Sequence, residues 1–135
     1  MLSRSRASKA AAGLLTAALF LPMQASYAAD WAMLAKSNES LVYFDLSTYR
    51  RTGTVRTGWT RETFFRPVTI PGTRKRGDMR DVRFVIDCST GSKSDGETNL
   101  YLQGVWLDHA WGTPDVFSVP PNGSVDQLLV AKLCR

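Results

Sequence analysis

The chain has 135 residues, of which 44% are hydrophobic and 21% charged, with a formal net charge of +5. This length accommodates one small domain, and this composition excludes an intrinsically disordered chain. Two cysteines are too few for a miniprotein that depends on many disulfides.

The first 28 residues have the three-part layout of a secretory signal peptide. A basic start is followed by the uncharged residues 10–21 and by small residues before a cleavage point after Ala28. An apolar stretch this short cannot span a membrane, which needs about 20 residues. We therefore predict export to the periplasm or the extracellular space, with a mature domain over residues 29–135.

Cleavage changes the charge balance of the domain. It removes three of the 17 basic residues and none of the 12 acidic ones, so 14 minus 12 leaves +2. We therefore expect no nucleic-acid partner. No cysteine sits near the cleavage site, so no lipid anchor on an N-terminal cysteine is predicted. No later stretch is apolar for long enough to span a membrane.

Cys88 and Cys134 are the only cysteines of the chain. In an oxidising compartment an isolated pair is most simply a disulfide, and this spacing does not fit a C-x-x-C redox motif. The single histidine, His109, gives little support for a metal site. We predict a Cys88–Cys134 disulfide, no metal and no cofactor.

The first half of the mature domain predicts strands. Residues 31–36 and 41–45 are β-rich runs across a short polar gap and predict a hairpin. Residues 47–53 predict a turn, and residues 55–65 alternate as a half-buried strand does. Residues 67–78 contain two prolines and two glycines and predict a loop.

The second half continues with strands. Val82, Phe84 and Ile86 alternate with Arg83, Val85 and Asp87, which predicts a strand. Cys88 shares the parity of the first set and is therefore expected on the buried face. Residues 89–97 predict a turn region because they are rich in Gly, Ser and Asp. Residues 99–107 predict a further strand, and residues 116–119 a last short one.

The final segment changes to a helical period from Val125. Ser124 is expected to cap the helix, and Gln127 to complete a capping box. The apolar stripe of the helix comprises Leu129, Val130, Leu133 and Cys134. These elements predict an α+β domain, with a single antiparallel sheet of about five to six strands and a short C-terminal helix that the disulfide tethers to one face.

Catalysis has little support in the sequence. His109 is the only imidazole, and although Asp108 adjoins it, no serine lies in a recognisable nucleophile motif. We predict that the protein is not an enzyme. Asp45 is expected to cap a turn at Ser47 and Thr48, because aspartate side chains bind nearby backbone N–H groups.

A basic cluster is the candidate ligand-binding site. It comprises Arg74, Lys75, Arg76, Arg80 and Arg83. Such a cluster can attract an acidic protein face or an anionic polysaccharide. The alternative is a solvated loop with local salt bridges, which contribute little to stability.

Two further surface features accompany this cluster. Arg76-Gly77-Asp78 spells an integrin-type tripeptide on a loop that we expect to be exposed. Trp106 and Trp111 are expected to bracket a loop and to form a contact patch.

An ordered set of short motifs runs through the mature chain. It consists of Trp31, residues 42–47, Arg50-Arg51, Gly53, Trp59, the basic loop, residues 86–88, residues 119–124, Leu128-Leu129 and Cys134. In this order the motifs resemble the surface-adhesin protein E family. The resemblance implies an antiparallel sheet with a disulfide-tied C-terminal helix, and a basic ligand-binding region before the first cysteine.

Members of that family are small exported bacterial proteins. The namesake lies on the outer surface through a lipid anchor, self-associates, and binds host matrix and serum proteins. This chain lacks the cysteine for such an anchor, and a shared fold does not fix function. Two predictions therefore stand: a domain that binds host proteins or anionic glycans, and a periplasmic accessory protein with a cell-envelope partner. The free edges of an open sheet could also pair into a homodimer.

Overall fold

A computed structural model of the protein describes residues 28–135. The signal peptide predicted over residues 1–28 therefore lies outside the described residues, except for Ala28. The elements are β1 (Trp31–Lys36), β2 (Ser40–Asp45), β3 (Arg50–Thr52), β4 (Val55–Thr69), β5 (Arg76–Asp87), β6 (Ser92–Leu102), β7 (Val105–Ala110) and α1 (Val125–Leu133). Within residues 28–135, no helix has the length and apolarity needed to cross a membrane.

All seven strands belong to one antiparallel sheet. The order is β1-β2-β4-β5-β6-β7, and the short β3 pairs with β4 beside this path. Neighbouring strands are joined by short connections, as antiparallel pairing allows. The predicted fold class is confirmed, with seven strands instead of the five to six expected.

Residues 89–97 were predicted as a turn, and most of them are strand. The turn occupies residues 88–91, and β6 begins at Ser92. Ser92, Lys93 and Ser94 are all buried, and they pair with the end of β5. Tertiary pairing here overrides a polar composition that disfavours strands.

The single strand predicted over residues 99–107 is two strands. A turn at Gln103-Gly104 separates β6 from β7, and both residues have positive φ, of 51° and 78°. Two consecutive residues of this kind form the turn that suits the twist of a two-residue hairpin. Residues 116–119 do not form a strand, and only Ser118 makes an isolated bridge, to Lys93.

The loop predicted over residues 67–78 is shorter than expected. β4 continues to Thr69 and β5 starts at Arg76, which leaves only residues 70–75 outside the strands. Pro67 lies within β4 where the pairing with β5 shifts register, between Thr63 and Val68. A bulge tolerates proline because the ladder hydrogen bond is already interrupted there. Likewise, residues 47–53 hold the short β3 as well as a turn.

The helix α1 covers one face of the sheet, which we call the helix face. The core between them comprises Phe44, Phe84, Ile86, Leu129 and Leu133. Gly58 allows Phe84 to lie against β4, because a Cβ on Gly58 would come within 2.9 Å of the Phe84 ring. We call the opposite side of the sheet the open face.

The helix begins as the sequence predicts, with one difference. Ser124 accepts the Gln127 amide at 3.1 Å, which confirms the cap. The reciprocal bond of a capping box is replaced, because the Gln127 side chain accepts the amide of Gly123 at 2.6 Å. The Gln127 side chain therefore binds the amide of the residue before the N-cap, whereas in a capping box it would bind the amide of Ser124 itself.

The C-terminal end of α1 is held in two ways. The predicted Cys88–Cys134 disulfide is confirmed, with the two Cα atoms 5.3 Å apart. Arg56 of β4 is only 4% exposed, and its Nε donates to the carbonyl of Leu133 at 3.1 Å. A guanidinium at a helix C-terminus satisfies a free carbonyl and complements the helix dipole.

Candidate functional site

The five basic residues predicted to bind a ligand do not form one site. Arg74, Lys75 and Arg76 lie at the end of the β4–β5 hairpin. Arg80 and Arg83 lie further along β5, and because their separation is odd they project from opposite faces of the sheet. The structure therefore keeps three of the five together.

Arg80 is already engaged on the helix face. It forms a salt bridge to Glu62 at 2.7 Å, and the other Glu62 oxygen accepts the hydroxyl of Ser40 at 2.7 Å. This pair lines a cavity of about 310 Å³ beside the start of α1. The buried Lys93 lines the same cavity and pairs with Asp95 and Asp126. The cations of this cavity are thus matched by carboxylates.

Arg83 is exposed on the open face, far from the hairpin end along its strand. It lines a second cavity, of about 340 Å³, together with Val85, Trp111 and Phe117. This cavity lies between β5 and the segment that follows β7. Arg83 is therefore part of a different surface from Arg74–Arg76.

The hairpin end gains a cation that sequence proximity did not indicate. Arg66 lies in β4 where the pairing with β5 shifts register, and Arg76 reaches the adjacent residue, since its Nη2 donates to the carbonyl of Pro67 at 2.9 Å. We call Arg66, Arg74, Lys75 and Arg76 the basic tip. Residues 66–76 contain these four cations and no acidic residue.

The loop that carries the basic tip has a fixed shape. Ile70 is 2% exposed and anchors the loop, and its amide donates to the carbonyl of Lys75 at 3.0 Å. Pro71 and Gly72 occupy the centre of a turn closed by the Thr73 amide and Ile70 carbonyl, and Gly72 has φ +87°. Proline followed by a glycine with positive φ is the sequence that a type II turn requires.

The cations of the basic tip are largely free of counter-charges. Among the described residues, the one salt bridge of the tip joins Lys75 to Asp108 at 3.5 Å, with both side chains partly exposed. Arg66, Arg74 and Arg76 make no salt bridge within residues 28–135. The charges of Arg74 and Arg76 therefore face solvent, whereas Arg66 is exposed beside a recess that Glu39 also lines.

The Arg76-Gly77-Asp78 tripeptide is not on an exposed loop, which corrects the prediction. It forms the start of β5, and Gly77 is buried. A Cβ on Gly77 would come within 2.3 Å of Leu100. The Asp78 carboxylate accepts the amide of Gln103, at 3.1 Å and 3.2 Å. Packing explains Gly77 and turn formation explains Asp78, so the geometry of the tripeptide gives no support for an integrin-type role.

His109 lies on β7 and contacts no nucleophile. Its Nε2 is 3.2 Å from a carboxylate oxygen of Glu97, and its ring meets Trp111 edge-on with centroids 4.6 Å apart. In the described part of the chain, no Ser, Thr or Cys side chain is hydrogen-bonded to it. No group of three His, Cys, Asp or Glu side chains in residues 28–135 is arranged to hold a metal ion.

Two strand-ending aspartates organise equivalent turns. Asp45 accepts the Ser47 amide at 2.9 Å and hydroxyl at 2.6 Å, which confirms the predicted turn cap. Asp87 accepts the amide and hydroxyl of Ser89 at the same two distances. The sequence signal is an Asp-x-Ser-Thr repeat, at 45–48 and 87–90.

These hydrogen bonds also set the acidity of the two carboxyl groups. Burial works to raise the pKa of Asp45, but hydrogen bonds from Ser47 and from the Asp30 amide outweigh it and lower the pKa. The side chain and amide of Ser89 lower the pKa of Asp87 in the same way. Donors of this kind favour the ionised carboxylate.

The predicted tryptophan patch lies on the open face. Trp106 lies within β7 and Trp111 directly follows it, so they do not bracket a loop, and they are 55% and 81% exposed. The indole of Trp106 donates to Asn99 at 3.3 Å. Both rings therefore project next to polar side chains of β6 and β7.

Comparisons with known proteins give no relative: no family model, no curated protein and no solved structure matches this chain. The resemblance to the surface-adhesin protein E family thus remains a prediction from the sequence motifs. Function has to be argued from the surfaces described above.

Proposed function

We propose that this protein is a non-catalytic, exported domain that binds an acidic macromolecule through the basic tip. The observation that carries the proposal is the grouping of Arg74, Lys75 and Arg76 at a loop of fixed shape, where Arg76 reaches the carbonyl of Pro67 next to Arg66. Residues 66–76 contain no carboxylate. The partner is an acidic protein surface or an anionic polysaccharide. Such partners fit because four clustered cations create a local positive potential that the overall charge of the domain does not reveal.

The basic tip contributes little to folding. Exposed charges and exposed salt bridges add about 0–1 kcal/mol to stability, so the Lys75–Asp108 contact does not explain the cluster. The fixed loop also reduces the entropy that binding would cost. Both points support a recognition role for the tip.

Export is supported by the disulfide and by the signal-like N-terminal sequence. Disulfides persist in oxidising compartments and are rare in the cytosol. In such a compartment the acidic partner is either a host protein or glycan, or a component of the bacterial envelope. Protease accessibility of the protein on intact cells distinguishes these two settings.

The experiment reverses two cations of the tip. The variant Arg66→Glu with Arg74→Glu removes cations that make no hydrogen bond or salt bridge within the described residues. We expect its retention on a heparin column to fall to background, while the unfolding temperature stays within a few degrees. Binding of the parent should weaken as salt rises through physiological strength, where screening acts over about 8 Å.

The matched control reverses Arg51 and Arg135, two exposed cations away from the tip. It changes the net charge by the same amount, so it should reduce retention much less if the tip is the site. Equal losses in the two variants would show that only net charge matters. Full retention of the tip variant would show that the cluster is a solvated loop.

A further inference from the structure

The open face of the sheet carries all four tryptophans of the chain, although α1 covers the other face. Trp31 pairs with Asp45 across β1 and β2, and Trp59 pairs with Arg83 across β4 and β5. Trp106, in β7, and Trp111, directly after it, lie at the other side of the same face. Large aromatic side chains in this position do not build the core, which lies beneath α1.

A row of polar side chains crosses the open face between these rings. It comprises Tyr43, Arg61, Asp81, Asn99 and His109, which are mutual partners across β2, β4, β5, β6 and β7. We call it the polar row. Because register partners project from the same face, these side chains form a continuous line across the sheet.

The polar row is held in place by its own contacts. Arg61 binds both oxygens of Asp81, each at 2.7 Å, and its guanidinium lies 4.4 Å from the ring centroid of Trp31. At the other end, Asn99 accepts the indole N–H of Trp106. The hydrogen-bonding groups are therefore oriented before any ligand arrives, which lowers the entropic cost of binding.

Several groups of this row keep unused hydrogen-bonding capacity. Within residues 28–135, Arg61 uses only its Nε and Nη2, and neither the amide nitrogen of Asn99 nor the hydroxyl of Tyr43 makes a hydrogen bond. Asp81 is only 8% exposed and is committed to Arg61, so the accessible acceptors are the Tyr43 hydroxyl and the second lone pair of the Asn99 carbonyl oxygen. The row thus offers both donors and acceptors to a ligand.

The charges of the open face cancel. By the strand register, the cations of this face are balanced one for one by its carboxylates: Lys36, Arg50, Arg61 and Arg83 against Asp45, Asp81, Asp87 and Glu97. This balance contrasts with the uncompensated charge of the basic tip. A ligand complementary to the open face is therefore uncharged, rich in hydroxyl groups, and able to stack on aromatic rings.

We propose that the open face binds a neutral oligosaccharide, whose hexopyranose rings stack on the exposed indoles while their hydroxyl groups bind the polar row. A sugar ring presents apolar C–H groups on its faces and hydroxyl groups along its edge. The face offers the matching pattern, aromatic rings on both sides of a hydrogen-bonding line. The cavity of about 340 Å³ beside Trp111 provides a recess at one side.

A second copy of the chain fits this face less well. The centres of protein interfaces are depleted in charged residues, whereas the centre here is the Arg61–Asp81 pair. A protein surface that covered this pair would remove its remaining hydration without replacing it. Sugar hydroxyl groups, in contrast, can replace the water molecules that bind these groups.

The test titrates the mature protein with chitohexaose and cellohexaose, two neutral hexasaccharides, by isothermal calorimetry. We expect saturable binding of at least one of them that changes little with salt, which separates it from binding at the basic tip. Combining Trp106→Ala with Trp111→Ala should weaken this binding by about tenfold or more, because two stacking surfaces are lost. These rings are exposed, so the unfolding temperature should change little.

Leu128→Ala is the matched control, since Leu128 is an exposed apolar residue on α1, across the sheet. It should bind as the parent does. No saturable binding of either hexasaccharide at millimolar concentration would overturn the proposal, and so would equal affinity in the double tryptophan variant. Sedimentation that showed a dimer broken by the same double variant would assign the face to self-association instead.

Discussion

Gly77 is the central residue of a tripeptide that matches a recognition motif, but packing explains why this position is a glycine. Its missing side chain makes room for Leu100 and for the carbonyl of Tyr101, which a Cβ would approach to 2.3 Å and 2.7 Å. Neighbouring Asp78 is used by the β6–β7 turn. The tripeptide therefore reflects the local requirements of a strand end.

The corresponding prediction concerns Gly77→Ala. Because the backbone carbonyl of Tyr101 cannot move without disturbing β6, overpacking should reduce the free energy of unfolding by about 1–3 kcal/mol. Chemical denaturation measures this loss. Gly96→Ala is the control: its Cβ would meet nothing closer than 3.6 Å, so we expect a change below about 1 kcal/mol. Equal stability of the two variants would contradict the packing explanation.

At the scale of elements, α1 depends on its attachments. It has nine residues, and isolated helices shorter than about 12 residues are marginal in water. Its position follows from the apolar core, from the Arg56 contact at its C-terminal end, and from the disulfide. A break in the covalent link should therefore affect the helix before it affects the sheet.

We predict that Cys88→Ser combined with Cys134→Ser lowers the free energy of unfolding by about 2–5 kcal/mol, as for other small exported domains. Hydrogen exchange should show faster amide exchange in α1 than in β4 and β5, because the sheet keeps its own hydrogen bonds. Unchanged protection in α1 would mean that packing alone positions the helix. Thiol titration of the denatured parent should find no free thiol.

The sequence predicts the fold class, the disulfide and the caps because these depend on local signals. Ser124, Asp45 and the two cysteines each act through neighbours or through an isolated pair. The strand over Ser92–Leu102 was missed because its first residues are polar yet buried by pairing. Composition cannot reveal that burial.

The candidate sites were harder to predict than the elements. Alternation along β4 divides its side chains into two sets on opposite faces of the sheet, but it does not show which set α1 covers. Arg56 lies beneath the helix, whereas Trp59 lies on the open face. The basic cluster was defined by closeness along the chain, whereas Arg66 is brought near it by the hairpin, in which Arg76 contacts the carbonyl of Pro67. A surface formed by side chains of several strands can be predicted only when the strand register is known, and a single sequence does not provide that register.

At the scale of the whole molecule, the two Asp-x-Ser-Thr turns contribute to acid sensitivity. The folded pKa of Asp45 is below its ordinary value of 3.8. A lowered folded pKa gives stability that is fully present above the unfolded pKa and is lost as the pH falls through the folded pKa. The domain should therefore keep its stability between pH 8 and pH 5 and lose part of it below about pH 4.

The variant Asp45→Asn tests this expectation, since it keeps the acceptor oxygen and removes the charge. At neutral pH it should cost about 1–2 kcal/mol. The difference from the parent in the free energy of unfolding should narrow as the pH falls below about 4 and through the lowered folded pKa of Asp45, because the parent carboxyl group then becomes uncharged as asparagine is. Denaturant unfolding of both proteins at several pH values measures this difference in the free energy of unfolding. The variant Asp115→Asn, at an exposed position, serves as the control. A constant difference across this range would contradict the assigned role of Asp45.

The strand order described above also bears on how quickly the domain folds. Apart from the small β3, each strand of the path β1-β2-β4-β5-β6-β7 pairs with the next along the chain, so every pairing closes a short loop. Sheets built from such local pairings have low contact order and fold quickly for β proteins. The distant closures join α1 to the sheet, through the disulfide between cysteines 46 positions apart and through the Arg56–Leu133 hydrogen bond, so we expect them to form after the strand pairs. The disulfide would then form after the sheet has folded, and it would not direct the folding of the sheet.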